Sequence, residues 1–332
     1  MSRPDRPEPV RSSPAPGAAR PASTSPAPGS TSPASGAVIA EAPRGWVLTA
    51  IVVTVLAWAS AFVVIRGTGE HFSGGALALA RLLVGSLLLG LLVLRGRWVR
   101  PSSREWLALA LFGVAWFGAY NVALNTAEQT LDAGTTAMLV NIGPILIALG
   151  AGIFLGEGIP KWLAIGAGVA FAGVILIGAG SGAFTGTVDA AGVIWCLVAA
   201  VTYAIGVLVQ KPLLRNLPSA QVTWLGCVAG TIACLPFAGS LAGDLRDAPV
   251  SAVLGAVYLG AVPTALAFTT WGYALARVPA GRLSISTYVV PPLVILLALV
   301  VFGEVPPLLA ILGGAVCLVG VALSRRKPRV RG

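Results

Sequence analysis

Residues 133–160, AGTTAMLVNIGPILIALGAGIFLGEGIP, and residues 280–307, AGRLSISTYVVPPLVILLALVVFGEVPP, decide the fold of this 332-residue chain. The second stretch repeats the first at a shift of 147 positions, and the alignment runs without a gap over residues 113–174. It places Pro144 on Pro291 and also matches Gly-Glu pairs and single glycines along its length. Chance similarity between apolar segments is common, but glycine, proline and glutamate shared at one offset are not. The chain therefore contains an internal repeat.

A weaker match extends the repeat toward the N-terminus. At a shift of 145 positions, Trp58 falls on Tyr203 and Arg66 falls on Lys211. The repeating unit then holds five apolar runs, and an odd number of spans means that the second copy enters the membrane from the opposite side. Inverted repeats are typical of transporters that expose a central site to each side of the membrane in turn.

The composition is that of a membrane protein. The chain is 56% hydrophobic and only 10% charged, whereas soluble domains carry roughly 25% charged residues. The net charge of +10 does not indicate nucleic-acid binding, because the basic residues lie between the apolar runs and at the two ends of the chain. That distribution of Lys and Arg is typical of multi-pass membrane proteins.

The apolar runs predict ten transmembrane helices. A spanning helix needs about 20 apolar residues, and Lys, Arg, Asp and Glu break the chain into runs of this length. The predicted spans lie at about 46–66, 74–94, 105–126, 131–155, 160–180, 190–210, 218–239, 249–275, 281–302 and 306–323. We therefore expect an all-α integral membrane protein built as two inverted five-helix repeats.

The same pattern divides the chain into four parts. Residues 1–44 are rich in Pro, Ser and Ala and predict a disordered tail, because they cannot bury enough apolar area to offset the loss of chain entropy. Residues 45–181 form the first five-helix repeat and residues 189–324 the second. Residues 325–332 form a basic tail that we expect in the cytoplasm.

The charges predict the orientation in the plasma membrane. If both termini are cytoplasmic, the inner segments hold most of the basic residues, and the outer loops hold only Arg66 and Arg246. The outer loops instead carry the acidic residues Glu70, Glu128, Asp132, Asp189, Asp244, Asp247 and Glu304. One missed span would reverse every later loop, so this asymmetry supports both the count and the orientation.

The repeated residues resemble a known family. The first copy combines an Ala-Gly pair, a mid-span proline, a Leu-Gly-Glu loop, a second proline and two spaced glycines, namely Ala133, Gly134, Pro144, Leu155, Gly156, Glu157, Pro160, Gly166 and Gly173. The run from Trp58 to Phe62 and the Ala-Arg-Leu sequence around Arg81 are also similar to that family. The chain is thus identified as a member of the EamA-domain family of the drug/metabolite transporter superfamily.

This resemblance implies a central cavity surrounded by the first, third, fourth, sixth, eighth and ninth helices, with the fifth and tenth at the periphery. It implies export of a small organic metabolite, since members of the family export amino acids, drugs and other metabolites. It does not name a substrate.

Polar and aromatic side chains inside the spans are candidates for the cavity wall. Such groups are costly in a bilayer unless they find partners or face water. Trp58 and Tyr203 are repeat mates, as are Asn141 and Tyr288, each one turn before a proline. The full set of candidates is Trp58, Tyr120, Asn121, Asn125, Asn141, Tyr203, Trp271 and Tyr288. Helix packing and interhelical hydrogen bonding are the alternative roles for all of them.

Five further residues carry distinct hypotheses. Pro144 and Pro291 each remove a backbone donor in mid-span and predict hinges or static kinks. Arg81 is the one charge well inside a span, and it could bind an anionic group of the substrate or pair with Glu70, Glu128 or Asp132. Glu157 and Glu304 precede proline-initiated helices, and we interpret them as helix caps.

The residue types and motifs that the spans lack exclude some classes of transport mechanism. No Asp or Glu lies in the middle of a span, which argues against exchange of protons for organic cations, and there is no Walker loop for ATP. We predict no catalytic residue, metal site, cofactor or nucleic-acid partner. The favoured function is a secondary transporter, an exporter or facilitator of a small organic metabolite working by alternating access. The alternative is a sensor or scaffold that keeps the fold and transports nothing.

Overall fold

The computed structural model describes residues 44–154, 159, 161–180 and 190–324. Within these ranges the regular structure is helical throughout, without a β-strand. The predicted disordered tail, apart from Arg44, lies outside the described residues, and so do the basic tail at residues 325–332 and the predicted cap Glu157.

Eight helices in the described ranges are long and apolar enough to cross a membrane. They are α1 (Gly45–Thr68), α2 (Gly74–Val93), α3 (Ser103–Ala127), α4 (Ala133–Phe154), α5 (Lys161–Gly180), α6 (Ala190–Leu213), α7 (Ser219–Asp247) and α8 (Val250–Arg277). Two shorter apolar helices follow, α9 (Ser286–Phe302) and α10 (Leu308–Ser324). The prediction of an all-helical membrane protein is therefore confirmed, while length and composition support eight of the ten predicted spans.

Two helices depart from the predicted bounds. Helix α7 continues past a 3-10 turn at Leu235–Phe237 into a more polar helix, Ala238–Asp247. In α9, a 3-10 stretch at Ser284–Val289 comes before the α-helix Val290–Phe302. Hydropathy alone does not reveal either change, because 3-10 and α-helical turns tolerate the same apolar residues.

The helices carry irregular turns at repeat-equivalent positions. Helix α3 widens into a π-helix at Gly113–Ala119, and α8 does the same at Gly260–Leu266, which is 147 residues later. In α3 the amide Nδ2 of Asn121 donates to the carbonyl of Phe117 at 2.7 Å. In α8 the hydroxyl of Thr264 donates to the carbonyl of Leu259 at 2.8 Å. Each side chain satisfies a carbonyl of the widened turn.

The fifth and tenth helices pack on each other through glycines. A Cβ added to Gly173 would lie 2.6 Å from the carbonyl oxygen of Gly313, and one added to Gly320 would lie 2.6 Å from that of Gly166. Between these contacts, the thiol of Cys317 donates to the carbonyl of Ala170 at 3.2 Å. Since residues early in α5 meet residues late in α10, the two helices run antiparallel. Only glycine permits this distance between two helix backbones.

The second, third, seventh and eighth helices make a comparable set of close contacts with one another. A Cβ at Gly113 of α3 would meet the carbonyl of Gly226 in α7, and a Cβ at Gly260 of α8 would lie 2.6 Å from the carbonyl of Arg81 in α2. The hydroxyls of Ser86 and Thr231, repeat mates at the 145-residue shift, are 2.9 Å apart. These close contacts position Arg81 at the centre of the helix bundle.

Candidate functional site

Five aromatic rings from four helices form one cluster at the centre of the molecule. The ring centroid of Trp58 on α1 lies 6.2 Å from that of Trp116, 6.5 Å from Tyr203, 5.6 Å from Phe268 and 5.0 Å from Trp271. These distances and the tilted ring planes lie within the range that favours aromatic pairs. The cluster therefore joins α1, α3, α6 and α8.

A cavity lies beside the ring cluster. Side chains of α1, α2, α3, α4, α6, α8 and the α9 region line it, and the space between their atoms is about 600 Å³, part of which is open to solvent. Five of the residues singled out from the sequence form part of its wall, namely Trp58, Arg81, Tyr120, Asn141 and Tyr203. The wall is mostly apolar and carries a few polar groups, which is typical of small-molecule sites.

Four other candidates lie away from this wall. The amide of Asn121 binds the carbonyl of Phe117 within its own helix, and the amide of Asn125 donates to the carbonyl of Gly74 at 3.1 Å. Trp271 is buried in the ring cluster behind Trp58. Tyr288 packs against the small apolar cluster that contains Ala170.

Sequence reasoning missed several wall residues. Trp116, Phe268 and Thr287 line the cavity; the sequence leaves the facing of Phe268 open and does not indicate the other two. The positions of Trp116, Tyr120 and Leu124, four residues apart, would have indicated one helix face. For Thr287 the sequence carried no such signal, because the 3-10 stretch at Ser284–Val289 decides that Thr287 rather than Tyr288 faces the cavity.

Arg81 is the charged residue in the wall of the cavity. It is only 3% exposed, and its Nε donates to the hydroxyl of Thr264 at 3.2 Å. Its Nη1 is buried without a hydrogen-bond partner. No carboxylate of the described residues lies within ion-pair distance, so the pairing with Glu70, Glu128 or Asp132 that the sequence left open does not form in this structure.

The prolines stand at helix starts. Pro144 is the second residue of the helical segment Gly143–Phe154, which follows a turn at Asn141 and Ile142. Pro291 is the second residue of Val290–Phe302, after the 3-10 stretch. The N–H that proline lacks has no intrahelical acceptor in the first turn of a helix, so both prolines fit these positions without breaking a bond.

Arg66 and Glu304 form an ion pair at the end of the bundle where α1 ends. Arg66 donates through Nε to Oε1 of Glu304 at 3.0 Å and through Nη1 to the carbonyl of Glu128 at 3.2 Å. Glu304 was interpreted as a helix cap, but in the structure it takes Arg66 as its partner. The side chain of Arg66 thereby links α1 to the end of α3 and to the segment that joins α9 to α10.

An equivalent cation lies in the second repeat. Lys211, the repeat mate of Arg66, donates through Nζ to the carbonyl of Leu275 at 2.5 Å and to that of Val278 at 3.0 Å. Leu275 corresponds to Glu128 at the 147-residue shift. In both repeats, a cation at the end of the first helix therefore binds a free carbonyl at the end of the third, where the negative end of the helix dipole lies.

Glu128 is the acidic group buried next to this site. It is 2% exposed, and neither carboxylate oxygen has a hydrogen-bond partner. Burial raises the pKa of Glu128 well above its usual range, against the opposing fields of Arg66 and Arg81. No group of three or more His, Cys, Asp or Glu in the described ranges is arranged to hold a metal ion.

Apolar helices around an amphipathic central cavity are the architecture expected of a small-molecule transporter. The chain belongs to the EamA-like transporter family, whose model matches residues 45–179 and again residues 190–326. The resemblance stated from the repeat motifs is thereby confirmed.

Two relatives are named as transporters, and one solved structure shares the fold. The chain is 37% identical to a protein of Streptantibioticus cattleyicolor named as a probable terminal-alkyne amino-acid exporter, over 84% of this chain and 93% of that protein. It is 34% identical to the uncharacterized transporter YdfC of Bacillus subtilis, over 81% and 88% of the two chains. A crystal structure with 20% identity superimposes with a TM-score of 0.60 over 85% of this chain and 98% of the other. That last likeness concerns the fold alone.

Proposed function

We propose that this protein is a secondary transporter that exports a small amphipathic metabolite across the plasma membrane by alternating access. The observation that carries the proposal is the central cavity, in which the buried guanidinium of Arg81 and the ring of Trp58 form parts of one wall. A charged group is expensive to bury in a bilayer protein unless it meets a partner or a solute, and the Nη1 of Arg81 has no hydrogen-bond partner among the described residues.

The architecture proposed is ten spans in two inverted repeats. Helix α10 has 17 residues, about 26 Å at about 1.5 Å per residue, against about 30 Å of hydrocarbon. A modest local thinning of the bilayer accommodates this difference. The antiparallel pairing of the repeat-equivalent helices α5 and α10, with reciprocal glycine contacts, supports the inversion. The basic inner loops support cytoplasmic termini.

The substrate class that we propose is an amino acid with an apolar side chain. Guanidinium groups bind carboxylates through charge-assisted hydrogen bonds, and the free Nη1 of Arg81 offers such a donor. The rings around Trp58 offer apolar contact for a side chain and a favourable surface for an ammonium group. The relative from Streptantibioticus cattleyicolor is named for amino-acid export, which agrees with this chemistry.

The transport assay uses purified protein in liposomes loaded with L-propargylglycine, an amino acid with a terminal alkyne. Wild-type protein is expected to exchange labelled external for unlabelled internal amino acid with saturable kinetics. The substitution Arg81→Gln should lower this exchange at least about tenfold, since hydrogen bonds to charged groups contribute about 1.5–3 kcal/mol. The matched control is Arg246→Gln, because Arg246 is exposed at the end of the polar segment of α7.

A second pair of variants tests the cavity wall. Trp58→Ala and Asn141→Ala should each reduce the rate of exchange, because both side chains line the cavity. Wild-type rates with both substitutions combined would refute this assignment of the site. Specific binding of the amino acid by the wild-type protein without any exchange would instead indicate the non-transporting sensor.

A further inference from the structure

A groove separate from the central cavity lies on the surface of the bundle where α2 ends. The last two turns of α2, the loop that follows α2 and Trp224 of α7 line it, and the space between their atoms is about 950 Å³, part of which is open to the surroundings. Leu87, Leu91 and Leu94 line this α2 groove, and all three are exposed. Their spacing places them on one face of a helix. Because α2 is long and apolar enough to cross a membrane, we expect this face to contact lipid.

Two tryptophans form another part of the wall of the α2 groove. The ring centroid of Trp98, in the loop, lies 6.1 Å from that of Trp224, with the ring planes at 74°. The indole N–H of Trp224 donates to the carbonyl of Ser86 at 3.1 Å, which fixes this ring against α2. A Cβ added to Gly90 would lie 3.1 Å from the same indole nitrogen, so the small size of glycine permits the close approach. Tertiary contacts therefore hold this wall in place.

The loop that carries Trp98 is fastened to α7. The N–H of Val99 donates to Oε1 of the buried Gln221 at 3.0 Å, and Nε2 of Gln221 donates to the carbonyl of Val99 at 2.6 Å. Gln221 and Trp224 are three residues apart and share a face of α7. The same face of α7 thus positions both the loop and the tryptophan that it meets.

The rim of the α2 groove is positively charged. Its loop carries three exposed arginines, and two of them alternate with groove-lining residues along the chain; the three are Arg95, Arg97 and Arg100. None of them forms an ion pair with a carboxylate of the described residues. The nearest carboxylate along the chain is that of Glu105, which accepts hydrogen bonds from Ser102 and Asn216. The positive charge of the rim is therefore available to an anion.

We propose that the α2 groove is a binding site for an anionic phospholipid. An acyl chain lies along the leucines of α2 and against the two tryptophans, and the phosphate binds Arg95 and Arg97. Guanidinium groups bind phosphate through charge-assisted, often paired hydrogen bonds, and basic pockets between spanning helices at the cytoplasmic surface bind anionic head groups. In the proposed orientation the loop is cytoplasmic, so the lipid belongs to the inner leaflet.

The chemistry of the α2 groove selects among possible ligands. A zwitterionic head group adds an ammonium charge to the phosphate, and the arginines of the rim repel it while the carboxylate of Glu105 is already engaged. A free phosphate ion contacts the rim alone and gains nothing from the apolar wall. An acyl chain gains from that wall, and tryptophan rings are favourable at the depth where head group and chain meet. The site is independent of the transport function proposed for the central cavity.

The test measures lipid affinity of the purified full-length protein in detergent by native mass spectrometry. Dioleoyl phosphatidylglycerol is the anionic probe and dioleoyl phosphatidylcholine the zwitterionic one, and the wild type should bind the first molecule of the anionic lipid more tightly. Arg95→Gln combined with Arg97→Gln should weaken this binding about thirtyfold, since each basic residue near an anionic lipid surface contributes about fivefold. The matched control is Lys161→Gln combined with Arg246→Gln, which removes the same charge at two other exposed positions.

A further variant tests the apolar wall. Trp98→Ala removes an exposed ring from the groove and keeps every arginine. It should weaken binding of both lipids and leave the ratio of their affinities unchanged. Glycerol phosphate, which has the head-group charge and no acyl chain, should not displace bound phosphatidylglycerol at equal concentration.

Each result bears directly on the lipid site. Equal affinity of the wild type for the two lipids, or an equal loss in the arginine pair and the control pair, overturns it, because net charge alone then explains the binding. Unchanged affinity in Trp98→Ala places the lipid on another surface and overturns the groove. Displacement by glycerol phosphate identifies the site as one for a soluble phosphate and overturns the proposed phospholipid.

Discussion

A single amide side chain holds the loop between the second and third helices in place. The Oε1 atom of Gln221 accepts from the N–H of Val99 at 3.0 Å, and its Nε2 atom donates to the carbonyl of Val99 at 2.6 Å. Gln221 is 1% exposed, and a buried amide of this kind would destabilise the fold without both partners. Hydropathy places Gln221 at the start of α7, but only the folded chain brings Val99 to it.

Replacement of this amide should release the loop. We expect Gln221→Ala to cost about 1–3 kcal/mol, because it removes two hydrogen bonds to the backbone of Val99, each worth about 0.5–1.5 kcal/mol. The backbone amide of Val99 should then exchange hydrogen faster, as measured by mass spectrometry in detergent. Asn216→Ala is the control, since the hydrogen bond of Asn216 to Glu105 is exposed. Equal exchange rates at Val99 in Gln221→Ala and the wild type would contradict the role assigned to the amide.

At the residue scale, the sequence indicates which side chains deserve a functional hypothesis, but it does not predict which groups those side chains contact. Arg81 was selected because a charge inside a span is costly, and it does line the cavity. Whether Arg81 forms an ion pair or stays available to a substrate depends on where Glu70, Glu128 and Asp132 lie. These residues belong to other elements, and the sequence does not specify their distance from Arg81. The same limit applies to Glu304, whose partner Arg66 is 238 residues away in sequence.

At the scale of elements, the pair of α5 and α10 depends on small side chains. The glycines of α5 face those of α10 at contact distances that leave no room for a methyl group. Helices in lipid gain little from burying apolar surface against each other, so close packing of this kind supplies much of their attraction.

A glycine substitution tests this packing. Gly173→Ala should destabilise the pair by about 1–3 kcal/mol, because overpacking forces the helix backbones apart. The control is Gly168→Ala in the same helix, where an added Cβ would meet nothing within 4 Å. Thermal unfolding in detergent should show a lower midpoint for Gly173→Ala alone. A lowered midpoint in both variants would mean that helix α5 itself, rather than its contact with α10, is sensitive.

The irregular turns are also set at this scale. The π-helical segments Gly113–Ala119 and Gly260–Leu266 lie at equivalent repeat positions, yet a hydropathy profile reads both as uninterrupted spans. Pro263 lies inside the second segment and gives a local reason for its widening, since proline cannot donate to the helix. The first segment has no proline, so its widening depends on neighbouring helices and on the amide of Asn121.

At the scale of the whole molecule, charge asymmetry predicts which loops face the cytoplasm. The loop after α2 carries Arg95, Arg97 and Arg100, whereas the end of α7 carries Asp244 and Asp247. Basic loops are retained on the cytoplasmic side. The proposed orientation therefore places Gly96 inside and Gly243 outside.

Introduced cysteines can report this orientation. All four native cysteines are buried and free, so they should contribute little background. Gly96 and Gly243 are both exposed, and an added Cβ makes no close contact at either position. A membrane-impermeant maleimide should label Gly243→Cys in intact cells and Gly96→Cys only after permeabilisation. The opposite pattern would reverse the orientation, and labelling of both in intact cells would contradict the span count.

The sequence by itself determined that this is a helical membrane protein with an internal repeat of the EamA type. Apolar runs, loop charges and glycines or prolines at one fixed offset are properties of the linear chain, and the bilayer acts on each run nearly independently. Tertiary structure decided which side chains face the cavity and which acid is buried. Trp116 lines the cavity because of the rotation of its helix, and Thr287 lines it because of the 3-10 stretch that contains it. Glu128 is buried because distant segments pack around it. Those relations depend on contacts across the bundle, and no local pattern of residues specifies them.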